Sequence, residues 1–249
     1  MTRQRFGVAA AVLAALLMTA AGPALTQEVT ISLGDGGGSL TGRTIQLILL
    51  ISVLSIAPGL AIMITCFPFL VTVLAILRQA IGLQQSPPNM LIVSLALFLT
   101  WFVMEPVFQE AWEAGAKPLI EETLDLETAL QQMIAPFRGF MAARVDADTF
   151  TAMANLRPDT SETRPVPDAP LSVLVPSFLL SEIARAFQIG FLVFLPFLII
   201  DLVVAAILMS MGMMMVPPAI VSLPFKLAFF VVADGWSLIA SALVRSYSP

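Results

Sequence analysis

Long apolar runs separated by short polar breaks make up most of this chain of 249 residues. No residue from 44 to 77 is charged, and Pro58 and Pro68 interrupt this run. Because proline disrupts a helix interior, the pattern predicts either one long kinked helix or a broken pair of helices. A second apolar run covers 90–104, and apolar sequence returns from Phe187 to the end. Runs of about 20 apolar residues are typical of helices that cross a bilayer.

The middle of the chain has a different character. Residues 105–168 hold 12 acidic and 5 basic residues, which is 17 of the chain's 29 charges. The first part of this segment places apolar residues at amphipathic helical spacing among carboxylates. Its end, 157–170, is polar and rich in proline, as loops are. We therefore expect an acidic insert of helix and loop over 108–173.

The two apolar halves carry the same signals in the same order, which indicates an internal repeat. The matches are PFL at 68–70 and 196–198, a glycine followed at fixed spacing by two prolines, and IVSL at 92–95 and 220–223. The turn residues are Gly82, Pro87 and Pro88 in the first copy and Gly212, Pro217 and Pro218 in the second. Chance similarity between apolar segments is the alternative, and the ordered run of matches favours duplication. The pattern predicts an all-α membrane protein with two kinked helical hairpins, 44–107 and 174–249, each built on a Pro-Pro turn.

The N-terminal 26 residues have the form of a secretory signal peptide. Arg3 and Arg5 precede an apolar stretch over 6–21, and small residues follow it. A first membrane anchor is the alternative, although the apolar stretch is short. Residues 27–43, with their glycine cluster, are expected to form a flexible linker. With the mature N-terminus outside the cytoplasm, four spans would place the acidic insert outside as well.

Three consecutive methionines, Met213, Met214 and Met215, stand directly before the second proline pair. Consecutive helical residues point about 100° apart, so the three side chains cannot share one helix face. Non-helical backbone at membrane depth is tolerated only inside protein or beside a water-filled path. Methionine is flexible and apolar, and several copies meeting at an axis would form a deformable seal. Ordinary packing at a turn is the alternative interpretation.

Composition narrows the function classes further. The chain is 58% hydrophobic and 12% charged, whereas soluble domains average about 25% charged residues. A net charge of −5 without a basic stripe argues against a nucleic-acid partner. The sequence has no histidine, one cysteine and no motif for catalysis or metal binding, so we expect no enzyme activity, no metal site and no cofactor. A small-solute or ion transporter is an alternative, which the scarcity of polar residues in the apolar halves disfavours.

A few charged residues do fall within the second apolar half. Asp201 lies in a wholly apolar run, where a carboxylate is costly, and Lys226 and Arg185 are its candidate partners. Glu182 and Arg185 are three apart on one helical face, so they predict a local ion pair. Lys226 and Asp234 are eight apart, too far for direct contact within one helix. We expect these residues to make structural or inter-subunit pairs, with an ion path as the alternative for Asp201.

Several motifs in order resemble the FliP family of type III export-gate membrane proteins, which has flagellar and injectisome branches. They are PSF at 176–178, SEIARAFQIGF at 181–191, LPFLIIDLVV at 195–204, MGMMMVPP at 211–218, SLPFKL at 222–227 and DGW at 234–236. The resemblance covers nearly all of 45–107 and 174–247. The signal peptide and the Val-Pro-Pro sequence at the second turn favour the flagellar branch, with an injectisome subunit as the alternative.

The resemblance implies a non-enzymatic role in the flagellar basal body. It implies a homo-oligomeric ring in the bacterial inner membrane, in contact with lipid, with FliQ-like and FliR-like membrane subunits and other export-gate proteins. Unfolded flagellar subunits would pass through this ring, with the insert on the periplasmic side. It also implies that Met213, Met214 and Met215 form the gasket that narrows the pore. From the repeat we add the hypothesis that the first turn, 83–85, does not line the closure and faces partner subunits or the cytoplasmic mouth.

Overall fold

A computed structural model describes residues 40–83, 87–157, 169–213 and 215–247, and all regular structure within them is helical. The predicted signal peptide and nearly all of the predicted linker lie outside the described residues. So do residues 158–168, which belong to the predicted proline-rich loop. The described residues between 51 and 249 form one compact unit, and the described part of the other unit, 40–50, is helical.

The uncharged run at the start is a broken pair of helices rather than one kinked helix. The helices of the first half are α1 (Leu40–Met63), α2 (Phe67–Ile81) and α3 (Asn89–Ala111). At the break, the Thr65 hydroxyl donates a hydrogen bond to the carbonyl of Ile62 at 2.8 Å. Pro68 then falls in the first turn of α2, where its missing N–H needs no helical partner. The helix α1 therefore continues through Pro58, and the break between the two helices comes just before Pro68.

Helix α3 extends well beyond the apolar run at 90–104. It leads through a π-helical turn (Trp112–Ala116) into the short α4 (Lys117–Ile120), so that Asn89–Ile120 is one helical length of 32 residues. The expected boundary at 107 thus falls within a helix. Gly115 in the π-helical turn packs on α5 so closely that an added Cβ would lie 2.6 Å from the carbonyl oxygen of Ala129. The helix of the first hairpin is therefore continuous with the acidic segment.

The acidic segment contains two further helices, α5 (Leu126–Arg144) and α6 (Ala147–Asn155). Asp125 caps α5 by accepting a hydrogen bond from the Thr128 N–H at 3.2 Å, and Asp146 caps α6 by accepting from the Thr149 N–H at 2.9 Å. Hydrogen bonds from Thr128 and Thr149 lower the pKa of the respective carboxyl groups. The predicted combination of helix and loop is thus helical over most of its described length.

The second half is built from α7 (Leu171–Ser210), α8 (Pro218–Val232) and α9 (Gly235–Arg245). Helix α7 runs for 40 residues and is not interrupted at Pro176 or Pro196. The second PFL sequence therefore lies inside a helix, whereas the first PFL sequence begins one. Asp234 takes a left-handed conformation, φ 47°, at the junction where α8 and α9 meet at a bend of 62°.

Fewer membrane-length segments are present in the described residues than the four that the hydropathy pattern predicts. Asn89–Ile120 and Leu171–Ser210 are long and apolar enough to cross a bilayer, and α8 with α9 would make a third as one bent span. Helix α2 has 15 residues, about 22 Å at 1.5 Å per residue, against an apolar layer of about 30 Å. The first half therefore cannot cross the bilayer through α2 alone.

The core forms where α2 packs along α7. Gly190 of α7 permits this approach, because an added Cβ would lie 2.4 Å from Cδ1 of Ile76. Seven residues of the 15 in α2 are buried, which makes it the most internal helix of the described chain. They are Phe69, Leu70, Val73, Leu74, Leu77, Ala80 and Ile81. The two segments that follow α2 and α7 are the Gly-to-Pro turns of the repeat.

Candidate functional site

The two turns share a local geometry. Gly82 ends α2 with φ 89°, and Gly212 follows the end of α7 with φ 74°. Both glycines are left-handed, a conformation in which a Cβ is strained. The N–H of Gly82 donates to the Gln79 carbonyl at 3.1 Å, and the N–H of Gly212 donates to the Met209 carbonyl at 3.1 Å. In each copy, therefore, a left-handed glycine follows the helix, and its N–H donates to the carbonyl three residues earlier.

The next helix of each copy begins at the proline pair. Pro88 caps the N-terminus of α3, and Pro217 caps that of α8 with Pro218 in the first turn. Pro87 lies in the segment just before the cap of α3. Proline suits these positions because the first N–H groups of a helix have no acceptor within it. The six turn residues named from the sequence thus end one helix or begin the next.

The turns differ in what they expose. Ile81, at the end of the helix that enters the first turn, is 2% exposed, and Leu83 packs against the core. In the second turn Met213 is 42% exposed and Met215 is 97% exposed. Met214, like Gln84 and Gln85 of the first turn, lies outside the described residues. The described methionine side chains are thus presented on the surface of the single chain.

Met213 also borders an apolar groove of about 500 Å³ between α7 and α8. The walls are aliphatic and aromatic, and they include Leu208, Met211 and Phe225. An exposed methionine next to such a groove extends an apolar surface instead of filling a gap in the chain's own core.

Asp201 and Lys226 meet across α7 and α8. The Lys226 ammonium lies 2.6 Å from Oδ2 of Asp201, and the Ser222 hydroxyl donates to Oδ1 of Asp201 at 2.6 Å. Lys226 Nζ also donates to the carbonyl oxygen of Ala80 in the last turn of α2, at 3.1 Å. Lys226 is 5% exposed, so the stem and the ammonium are both enclosed. Asp201 and Lys226, one of its two predicted candidate partners, therefore form one contact that joins three helices.

Glu182 is at the centre of a second polar cluster and is fully buried. Arg144 Nε donates to Oε1 of Glu182 at 3.1 Å, and Nη2 of Arg144 lies 3.1 Å from the same oxygen without the alignment of a hydrogen bond. Arg185 also pairs with Oε1 at 3.4 Å, as a neighbour on the same helix. The Tyr247 hydroxyl donates to Oε2. Arg185 thus pairs with Glu182 and not with Asp201.

The same cluster fixes the C-terminal segment. Arg144 Nη1 donates to the carbonyl oxygen of Ser246 at 2.8 Å, and its guanidinium lies 3.9 Å from the centre of the Tyr247 ring. Burial, reinforced by the Glu182 carboxylate, raises the pKa of Tyr247, so the phenol remains a hydrogen-bond donor. Sequence reasoning missed Arg144 and Tyr247. Arg144 lies 38 residues before its carboxylate and Tyr247 65 after it, so no local spacing links them.

Asp234 is notable for its backbone conformation and not for an ion pair. It is exposed, makes no ion pair within the described residues, and sits at the left-handed junction between α8 and α9. Lys226, eight residues earlier, points instead to α7 and α2. The charged residues named from the sequence therefore lie in two polar clusters, except for Asp234, which lies at the bend between α8 and α9.

Much of the surface of α7 is apolar. Phe187 and Phe191 are 60% and 61% exposed, and Leu202 is 61% exposed. Apolar exposure on this scale is typical of surfaces that meet lipid or other subunits. Among the described residues, no group of histidine, cysteine and carboxylate side chains has the arrangement of a metal site. The fold and the two turns define an all-helical membrane protein that exposes flexible apolar side chains at a break between helices.

Comparison with known proteins identifies the family. The FliP family matches residues 50–243. The flagellar biosynthetic protein FliP of Caulobacter vibrioides is 50% identical over 237 residues, 95% of this chain and 88% of that protein. The FliP proteins of Agrobacterium fabrum and Bacillus subtilis are 47% identical over 214 residues and 44% over 205, covering 85% and 82% of this chain and 86% and 92% of theirs.

The chain belongs to the FliP family, whose members are membrane-spanning components of the flagellar export apparatus and not enzymes. The resemblance noted in the sequence is thereby confirmed.

Proposed function

We propose that this chain is a pore-forming core subunit of the flagellar type III export gate, and that Met213, Met214 and Met215 form its closure. The observation that carries the proposal is the exposure of Met213 and Met215 at a break between two apolar helices. A left-handed glycine and a proline pair hold this break outside regular helix. Such backbone at membrane depth requires protein or a water-filled path around it.

The chemistry of methionine suits a closure for a passing polypeptide. An apolar constriction excludes ions by dewetting, so it needs no charged gate. The thioether side chain is unbranched and adapts to varied surfaces, so it can yield to a chain of any sequence. One chain supplies only one set of methionines. The closure therefore requires several copies arranged around an axis.

The apolar surface of α7 supports assembly into a ring. Phe187, Phe191 and Leu202 lie on a helix of membrane length and are more than half exposed in the single chain. A surface of this kind fits other copies, FliQ-like and FliR-like subunits, and lipid. Within this proposal the ring lies in the bacterial inner membrane, in contact with other export-gate proteins, and unfolded flagellar subunits pass through it.

We further propose that the chain works as two helical hairpins, 44–107 and 174–249, with the 108–173 insert on the periplasmic side. The support for two copies is the shared geometry of the turns at Gly82 and Gly212. The helices Asn89–Ile120 and Leu171–Ser210 cross the expected boundaries, so each hairpin is joined to the insert within a continuous helical length.

Ion leak through the assembled complex tests the closure. Met213, Met214 and Met215 are changed together to alanine, and the matched control changes Leu83, Gln84 and Gln85 to alanine. We expect ion leak only in the methionine variant, because only the second turn would line the pore. If the methionine variant assembles and does not leak ions, the three methionines serve only in packing and the proposal is wrong.

A further inference from the structure

We propose that Lys226 couples the two turns, so that the first turn holds the second turn, and with it the methionine closure, in the closed position. This inference rests on the proposed closure at Met213–Met215. It assigns Lys226 as a positioning residue that acts on the closure through α8. The observation behind it is that one ammonium group bonds to the end of α2 and to α7 at once.

The first contact of Lys226 is with the end of α2. Ala80 lies in the last turn of α2, where carbonyl oxygens have no N–H donor further along the helix. The C-terminus of a helix carries a partial negative charge, so it favours a cation. Nζ of Lys226 donates to this carbonyl at 3.1 Å and lies 4.0 Å from the position that a Cβ on Gly82 would occupy. Lys226 thus binds the helix end from which the first turn departs.

The second contact fixes Lys226 to α7. Asp201 lies 11 residues before Gly212, and it accepts hydrogen bonds from both Lys226 and Ser222. Lys226 and Ser222 lie one helical turn apart on α8, the helix that begins at the second proline pair. The carboxylate therefore fixes the position of α8 relative to α7, and these two helices lie on either side of the methionine segment in the sequence. Because α8 and α7 flank that segment, their separation sets where the methionines lie.

The environment makes the link strong enough to matter. Lys226 is 5% exposed, and Cδ1 of Leu223, also on α8, lies 3.9 Å from the position that a Cβ on Gly82 would occupy. In such surroundings an ammonium or a helix-end carbonyl left without its partner pays the full cost of desolvation. A movement of the first turn away from α8 would break the bond to Ala80. The closed arrangement is therefore favoured as long as this bond is made.

Two variants isolate the bond to Ala80 from the ion pair. Asp201→Asn removes the carboxylate charge and leaves Lys226 able to donate to the Ala80 carbonyl. The double variant Asp201→Asn with Lys226→Met differs only in the loss of the ammonium and keeps an apolar stem of similar length. We expect the double variant to leak roughly tenfold more than Asp201→Asn, the effect of losing one hydrogen bond to a charged group. Equal tightness of the two assembled complexes would overturn the coupling.

The methionine variant, measured in the same assay, separates this inference from the proposed function. If the methionine variant leaks and the double variant does not, the closure stands and the coupling is wrong. If the methionine variant is tight, the closure itself is wrong and the coupling has nothing to act on. An exchange of the two residues, Asp201→Lys with Lys226→Asp, keeps one charge of each sign but leaves the Ala80 carbonyl without its donor. We expect the exchanged variant to leak, and its tightness would show that the ion pair alone suffices.

Cross-linking gives a second measurement that does not depend on assembly. Leu83→Cys and Leu223→Cys, joined by a short bifunctional thiol reagent in the full chain, report whether the first turn stays against α8. The native Cys66 is fully buried and so does not compete for the reagent. We expect the cross-link in the Asp201→Asn chain and a clear loss of it when Lys226→Met is added. An undiminished cross-link would contradict the proposal even if the double variant failed to assemble.

Discussion

The two Gly-to-Pro turns have similar backbones and opposite surroundings. Helix α2, which enters the first turn, is the most buried helix of the described chain, and Leu83 of the turn packs on the core. At the end of α7, Met209 is 61% exposed, and Met211, which follows the helix, is 66% exposed. The comparison shows how one local geometry can serve for internal packing in one copy and for contact with other molecules in the other.

The difference arises from side chains and not from backbone. Gly82 and Gly212 are both left-handed, and both proline pairs begin a helix. Beyond the glycines, the first copy carries Leu83 and the second carries Met213. If one hairpin was duplicated, the turn was kept and the residues within it were exchanged. The predictions that follow test this division, from the largest expected change to the smallest.

The first prediction compares a buried leucine of α2 with an exposed leucine of α7. Leu74→Ala should lower the free energy of unfolding by about 2–5 kcal/mol, because Leu74 is 1% exposed and its removal leaves a cavity. Leu202→Ala should change it by less than about 0.5 kcal/mol, because Leu202 is 61% exposed. Thermal unfolding of the chain in detergent measures both. Only Leu202→Ala should then weaken ring assembly, and equal destabilisation by the two would break the comparison.

The second prediction concerns the contact between α2 and α7. Gly190→Ala should cost about 1–3 kcal/mol of stability, because the new Cβ would lie 2.4 Å from Ile76 Cδ1 and 3.3 Å from its Cβ. Gly139→Ala in α5 is the matched control, since nothing lies within 4 Å of its Cβ position. The control should be neutral or stabilising by up to about 1 kcal/mol. Should Gly190→Ala prove as harmless as the control, the close packing of α2 on α7 is not present in the molecule.

The third prediction tests the similarity of the turns. Gly82→Ala and Gly212→Ala should each cost about 1–2 kcal/mol, because both residues are left-handed and a Cβ is strained there. Neither new Cβ meets an atom closer than 3.9 Å, so the cost is one of backbone conformation. Unfolding midpoints of the two variants should therefore shift by similar amounts. A cost at only one position would show that the turns are not equivalent.

The smallest change in stability is expected for a leucine triplet in place of the methionines. Met213, Met214 and Met215 changed to leucine should alter stability by less than about 0.5 kcal/mol, since Met215 is 97% exposed and leucine has a similar volume. The apolar seal should stay tight. Export should slow, because branched leucine adapts less well to a passing chain. Secretion rates of flagellar subunits measure this. An unaltered rate would show that export does not depend on the flexibility of the methionine side chains.

Sequence patterns predicted the parts of the fold that depend on local signals. Runs of apolar residues marked the long helices, and glycine followed by a proline pair marked both turns, because each acts through its own backbone preference. The same patterns did not distinguish Pro196, which lies inside α7, from Pro68, which begins α2. Both prolines stand in PFL, so the difference lies outside the motif. Thr65 hydrogen-bonds to Ile62 and closes α1 just before Pro68.

The charged clusters show where sequence reasoning stops. The pair of Glu182 and Arg185 was accessible from its spacing of three residues along one helix. Arg144 and Tyr247 were not, since only the packing of α5 and of the C-terminal segment on α7 brings them to Glu182. For Asp201 the sequence left two candidate partners, Lys226 and Arg185, and the packing of α8 on α7 selects Lys226. The third member, the Ala80 carbonyl, has no signature in the sequence because every residue carries a carbonyl.

The most direct test of the closure is capture of an export substrate halted during passage. A photo-reactive amino acid is placed at Met215 in one strain and at Gln84, in the first turn, in another. The account predicts that the substrate cross-links strongly at position 215 and not at position 84, with native rings assembled in both strains. Capture at position 84 with none at position 215 would place the narrow path at the first turn and contradict the account.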